Sequence, residues 1–191
     1  MKIIDDNCIN EIIIKNSRFI CYLIKIESTN ISDILNNIKY MHPKATHYCY
    51  GYIYDEVKKS SDDGEPGGTA GMPILNVLEK ENLNHSLAVV VRYFGGIKLG
   101  AGGLVRAYTK AVTETLKTAT YNDLIKGYKI SLSFDYQNEK NINYILKDMD
   151  IVTKKYDKLI YYEALINQDI LVKLEKYNPT IMNECYIENK K

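Results

Sequence analysis

SLAVVVRYFGGIKLGAGGLVRAYTKAVTETLKTA, residues 86–119, decides the fold. Its opening, SLAVVVRYF, has the continuous apolar character of a strand covered on both faces, which makes it the expected central strand of its domain. Its end, from Leu104, puts Leu104, Tyr108, Ala111, Val112 and Thr115 on one stripe of a helix, and Arg106, Lys110, Thr113 and Lys117 on the opposite one. Between strand and helix lies GGIKLGAGG, residues 95–103. Nine of the eleven glycines fall between Gly64 and Gly103, so backbone freedom is concentrated where the chain bends or something approaches it closely.

Upstream, INEIIIK and RFICYLIKI read as a hairpin joined at Asn16 and Ser17, because branched and aromatic residues dominate both. A helix capped by Ser28 or Thr29 is expected through about Tyr40, with Ile31, Ile34, Leu35 and Ile38 on one face. THYCYGYIY, residues 46–54, alternates as a strand and runs directly into SSDDGEPGGTAGMP, residues 60–73. Pro73 suits the first turn of a following helix, ILNVLEKENL. Downstream, Asn122 to Gly127 is a polar lapse that suits a domain boundary. From Tyr128 the pattern runs strand, helix, strand, strand, helix, strand. The expected fold class is α+β, and the βαββαβ remainder has the order and size of a ferredoxin-like domain.

A chain of 191 residues can bury a sizeable core, and 46% hydrophobic with 26% charged residues is ordinary globular composition. The four cysteines, at 8, 21, 49 and 185, are scattered singly, which suggests neither a zinc ribbon nor a disulfide framework. The acidic start and the lack of a long apolar run point to a cytoplasmic protein with no membrane partner. Formal net charge is only +1, but its distribution is uneven: residues 1–83 carry −3, residues 84–126 carry +4, and the remainder is neutral. The positive excess coincides with the second glycine run.

The two glycine runs invite different chemistry. Asp62, Asp63 and Glu65 are too bunched for an EF-hand; they suit either magnesium held jointly with a phosphate or a solvated turn whose acids cap nearby amides. GGIKLGAGG matches neither a Walker A loop nor a Rossmann fingerprint. Gly102 and Gly103 precede a helix whose unpaired amides form an anion receptor, with Arg92, Lys98, Arg106 and Lys110 able to add charge. Two of the three arginines in the chain flank this loop, and arginine suits bidentate phosphate contact. The plainer account is tight packing with solubilising charge outside.

Tyr48, Tyr50, Tyr52 and Tyr54 share one face of a strand, either as rings for base stacking or as half-buried core. His42 and His85 have no obvious partners; His47 is the histidine placed to act. No nucleophile elbow, HExxH motif or supported Cys and His pair is present, so catalytic residues are not assigned and no cofactor is implied.

The strings SRFI, ATHYCYGY, SSDDGEPGGTAGMPIL and RYFGGIKLGAGGLVRAY, in that order and spacing, resemble the YigZ/IMPACT family over about residues 10–120. The resemblance implies a domain over 1–122 similar to the second domain of ribosomal protein S5. It further implies a ferredoxin-like domain over 127–188 similar to the last domain of elongation factor G. It also implies a translation-linked regulator that binds RNA or the ribosome, with a translation-regulatory protein as a further possible partner. Carried over position by position, the motif residues are His47, Asp62, Asp63, Glu65, Arg92, Tyr93, Gly95, Gly96, Gly102, Gly103 and Arg106. The chain departs from the family at Gly51, Gly67, Met72 and Val91.

The leading expectation is therefore a non-catalytic binder that contacts phosphates through Arg92, Gly95, Gly96, Lys98, Gly102, Gly103, Arg106 and Lys110, with His47, Asp62, Asp63 and Glu65 lining the pocket. A magnesium-dependent enzyme acting on a phosphate-bearing small molecule and a protein-interaction module are the alternatives.

Overall fold

In the computed structural model, which describes residues 1–189, the chain begins with β1 (Lys2–Ile4) and a hairpin of β2 (Cys8–Ile14) and β3 (Ser17–Lys25). Lys15 and Asn16 form the two-residue turn, with φ of 45° and 64°. Two successive positive φ values match the right-handed twist of the flanking strands. The turn thus lies one residue earlier than the polar pair Asn16–Ser17 indicates. Ser17 already belongs to β3, where it is buried.

Helix α1 (Ser32–Met41) starts later than expected and has no side-chain cap; Ser28 and Asn30 instead hold the turn before it, accepting from the amides of Asn30 and Ser32. Strand β4 (His47–Tyr54) turns at Asp55 into β5 (Val57–Ser61), a strand that the polar sequence VKKSS conceals. Lysines suit an edge strand, where they discourage pairing with other chains. After the acidic loop come α2 (Gly71–Lys80), β6 (Ser86–Tyr93) and α3 (Ala101–Leu116).

These strands form one antiparallel sheet in the order β2-β3-β6-β4-β5. Strand β6 is buried along nearly its whole length because both faces are covered. Leu87, Val89 and Val91 pack toward Ile38 of α1 and Ile31 just before it, in a layer with Ile20 and Tyr52. Ala88 and Val90 face Ile74 and Leu78 of α2 and Leu104, Tyr108 and Val112 of α3. Alternation therefore sends Arg92, the next residue in the Ala88–Val90 row, into the layer of α2 and α3. The four tyrosines of β4 share the α1 side as half-buried or buried core.

The chain divides into two compact units, Met1–Asn122 and the residues from Asp123. The segment read as a polar boundary, Asn122 to Gly127, is not a loop: it lies within one continuous strand, β7 (Tyr121–Phe134). Gly127 is what pairing requires there, since a Cβ would stand 2.7 Å from the Ile166 carbonyl oxygen. Then follow α4 (Glu139–Ile145), β8 (Asp150–Tyr156), β9 (Ile160–Ile166), α5 (Gln168–Leu174) and β10 (Thr180–Glu188). In the second unit the strands pair antiparallel in the order β10-β7-β9-β8. Ile142 of α4 and Leu174 of α5 close a separate core with Ile130, Leu132, Tyr162 and Ile166.

Candidate anion site at a helix start

Gly100 begins α3 at φ 70°, a left-handed conformation that glycine adopts without strain. The first helical bond runs from the Leu104 amide to the Gly100 oxygen at 2.9 Å. The helix therefore starts three residues earlier than the apolar stripe indicates, and Gly102 and Gly103 lie inside its first turn. The amides of Ala101, Gly102 and Gly103 precede that bond, and no side chain caps them. They hold the positive end of the helix dipole. Gly102 leaves its surroundings open; the nearest group is the Arg106 guanidinium, 3.6 Å from where a Cβ would stand.

Arg92 approaches this end from the sheet. It is 5% exposed, and its guanidinium stands about equally far from the Phe19 ring (5.5 Å) and the Phe94 ring (5.6 Å). Its Nη1 donates to Glu65 Oε1 at 2.5 Å, while its Nε is buried without any partner. Arg92 and the helix start line one cavity of about 360 Å³, together with Glu65, Phe94, Lys98 and Leu104. A buried donor left unsatisfied costs about 1–3 kcal/mol, and native chains tolerate few of them.

Glu65 is the acid that belongs to this cavity. Its Oε1 also accepts from the Tyr108 hydroxyl at 2.7 Å, and His47 Nε2 lies 3.9 Å from Oε2. Burial, more than its partners, raises the Tyr108 pKa, and burial likewise pushes the Cys49 thiol up to about 12, so neither ionises near neutrality. Cys49 Sγ points at Tyr108 Oη, 3.3 Å away. His47 stands opposite Arg92 in the β4–β6 register and bonds the Asp63 carbonyl through Nδ1 at 2.8 Å.

Asp62 and Asp63 are turned to other work. The Asp62 carboxylate accepts from the amides of Gly68 (2.8 Å), Ala70 (3.0 Å) and Gly71 (2.8 Å), closing the loop onto the start of α2. Burial alone would raise its pKa, but these three amides outweigh it and hold the carboxyl below its ordinary value. Asp63 Oδ2 accepts from the Tyr48 amide at 2.7 Å. Among the described residues no group of three or more His, Cys, Asp or Glu side chains is arranged to hold a metal ion.

The remaining residues of the expected site are dispersed around this centre. Gly95 is a packing glycine: an added Cβ would collide with the Asn16–Ser17 backbone. Gly96, at φ 83°, faces open space, and Gly103 passes close to Leu99. Lys98 lines the cavity and is exposed. Lys110 lies nine residues beyond Ala101 on α3, about 13 Å along the axis. Sequence reasoning missed Tyr108, Phe94 and Leu104 as walls or supports of a site. Tyr108 looks like one more member of the apolar stripe, and nothing local marks its hydroxyl as a partner of Glu65. It also left His42 and His85 without partners. The structure seats His42 between the Tyr22 and Tyr93 hydroxyls, at 2.6 and 2.9 Å, and joins His85 to Asp55 at 2.8 Å.

Fold and site together define a two-unit α+β protein in which a central strand bearing a buried arginine hands over, through a glycine loop, to an uncapped helix start. Residues 15–116 match the Impact N-terminal domain family. Over 155 residues the chain is 34% identical to IMPACT family member YigZ of Escherichia coli, covering 77% of this chain and 76% of that protein. Over 111 residues it is 51% identical to IMPACT family member YvyE of Bacillus subtilis, covering 56% of this chain and 51% of that one. It therefore spans about half the length of the Bacillus relative. The chain belongs to the IMPACT family. A crystal structure described as that of a hypothetical protein shares the fold with a TM-score of 0.73 at 27% identity, covering 99% of this chain and 98% of the other. No described helix is long and apolar enough to cross a membrane.

Proposed function

We propose that this chain is a non-catalytic, RNA- or ribosome-binding regulator of translation, and that its first unit seats a backbone phosphate at the start of α3. One observation carries the reading: the uncapped start of α3, at Gly100 and Ala101, shares a cavity with a buried arginine whose Nε has no protein partner. Helix dipole, amides and guanidinium all favour an oxyanion in that position. Lys98 at the rim and Arg106 beside Gly102 extend the positive surface along a polynucleotide. The magnesium alternative is less favoured, because two of its three carboxylates already accept backbone amides.

The units also support the reading in kind. The strand order β10-β7-β9-β8 is that of a ferredoxin-like domain, and we take the second unit to be of that type, like the last domain of elongation factor G. The first unit we take to be akin to the second domain of ribosomal protein S5. Such likeness argues by analogy, and the site carries the argument.

Fluorescence anisotropy with a short single-stranded RNA tests the proposal. Binding at low salt is expected, weakening steeply as salt rises because each phosphate contact releases counterions. Lys98→Ala and Arg106→Ala should each weaken binding and lower the salt slope by about one contact. Absence of binding at low salt, or affinity indifferent to both substitutions, overturns it.

A further inference from the structure

A receptor for phosphate alone has no use for a carboxylate in its wall, yet Glu65 lines this cavity beside Arg92 and the α3 start. Its presence asks what else the ligand brings. Glu65 is 8% exposed, and its two oxygens are unequally occupied. Oε1 accepts from Arg92 Nη1 and Tyr108 Oη, whereas Oε2 takes no hydrogen bond; His47 Nε2 is 3.9 Å away, beyond hydrogen-bonding range. A carboxylate oxygen with open lone pairs, on a side chain otherwise held in the protein, is a strong acceptor for an incoming hydroxyl. A second phosphate oxygen, by contrast, would be repelled there.

We infer that Glu65 is the specificity-determining residue of the site and reads a ribose 2′-hydroxyl next to the seated phosphate, so that the cavity takes RNA in preference to DNA. The inference rests on the phosphate reading above and adds the sugar to it. Every donor in the site, from the amides of Ala101–Gly103 to Arg92 and Lys98, serves either polynucleotide equally. Glu65 Oε2 is the acceptor that separates them, since the 2′-hydroxyl is the donor that DNA lacks. The dimensions agree. A cavity of about 360 Å³ is at the small end of ligand sites and suits one nucleotide unit, with the phosphate at the helix start and the sugar against the apolar side chains of Phe94 and Leu104. Arg92 and Tyr108 hold the Glu65 side chain in place through Oε1, so the acceptor is positioned before the ligand arrives.

The experiment compares RNA and DNA of one sequence, at low salt, on the full chain, together with RNAs carrying a single 2′-deoxy nucleotide at each position in turn. Wild type should prefer RNA by roughly ten- to a hundredfold, as for one hydrogen bond to a charged group. The deoxy series should lose that affinity at one position. Glu65→Gln removes the charge at nearly constant shape; it should shrink the RNA preference and strengthen DNA binding, whereas a merely structural glutamate would weaken both. Equal binding of RNA and DNA by wild type, or a preference unchanged in a folded Glu65→Gln variant, overturns the inference and leaves the phosphate seat standing. No binding of either overturns both. If the variant fails to fold, the deoxy series on wild type decides, and a loss spread evenly along the RNA counts against the inference.

Discussion

Asp62 carries more of the first unit's stability than its place on a surface loop implies. One carboxylate satisfies three backbone amides that would otherwise be left without partners at the bend into α2. Asp62→Ala should cost about 2–4 kcal/mol at neutral pH, measured by urea unfolding. Because the folded state holds this carboxyl below its ordinary value, the stabilisation is complete above the unfolded pKa and disappears as pH falls through the folded one. The gap between wild type and variant should therefore narrow below about pH 4. A gap that stays constant down to pH 2.5 would show that the charge is not what matters. The capping role was readable from the residue type, since aspartate in a glycine-rich turn bonds nearby amides. Glu65 was not separable from Asp62 and Asp63 by sequence: three acids within four positions look alike, and only the path of the loop turns one inward to Arg92.

At the scale of elements, the glycine loop after β6 combines two different demands. Gly100 supplies a left-handed φ that starts α3, while Gly95 supplies room where the loop crosses the β2–β3 turn. Gly95→Ala should destabilise the first unit by about 3 kcal/mol or more, because rigid backbone, not a flexible side chain, occupies the space, and overpacking of that kind forces the chain to shift. Thermal melting followed by circular dichroism measures it; a loss below about 1 kcal/mol refutes the steric account. Periodicity revealed β6 and the buried stripe of α3 because burial on both faces, or on one helical face, writes itself into the residue pattern. Strand β5 escaped because an edge strand gains its partner through backbone bonds and leaves its side chains polar. The start of α3 was misplaced by three residues because glycine reads as loop, whereas here the first turn uses glycine to stay open.

Across the whole molecule, the chain builds separate cores. Ile142→Ala, in the core of the second unit, should cost about 2–4 kcal/mol, and amide hydrogen exchange should locate the loss in β7, β9 and α4. An equal loss of protection in β3 and β6 would contradict separate cores. The order of elements apart from β1 and β5, the two amphipathic patterns and the positive bias around α3 were determined by the sequence itself, since local spacing of apolar residues sets which face each element buries. Only the tertiary structure decided that Arg92, Glu65, Tyr108 and the Gly100 turn meet. Glu65 and Tyr108 stand 43 positions apart, and their contact depends on how a sheet row, a loop path and a helix axis converge, which no local pattern of side chains encodes.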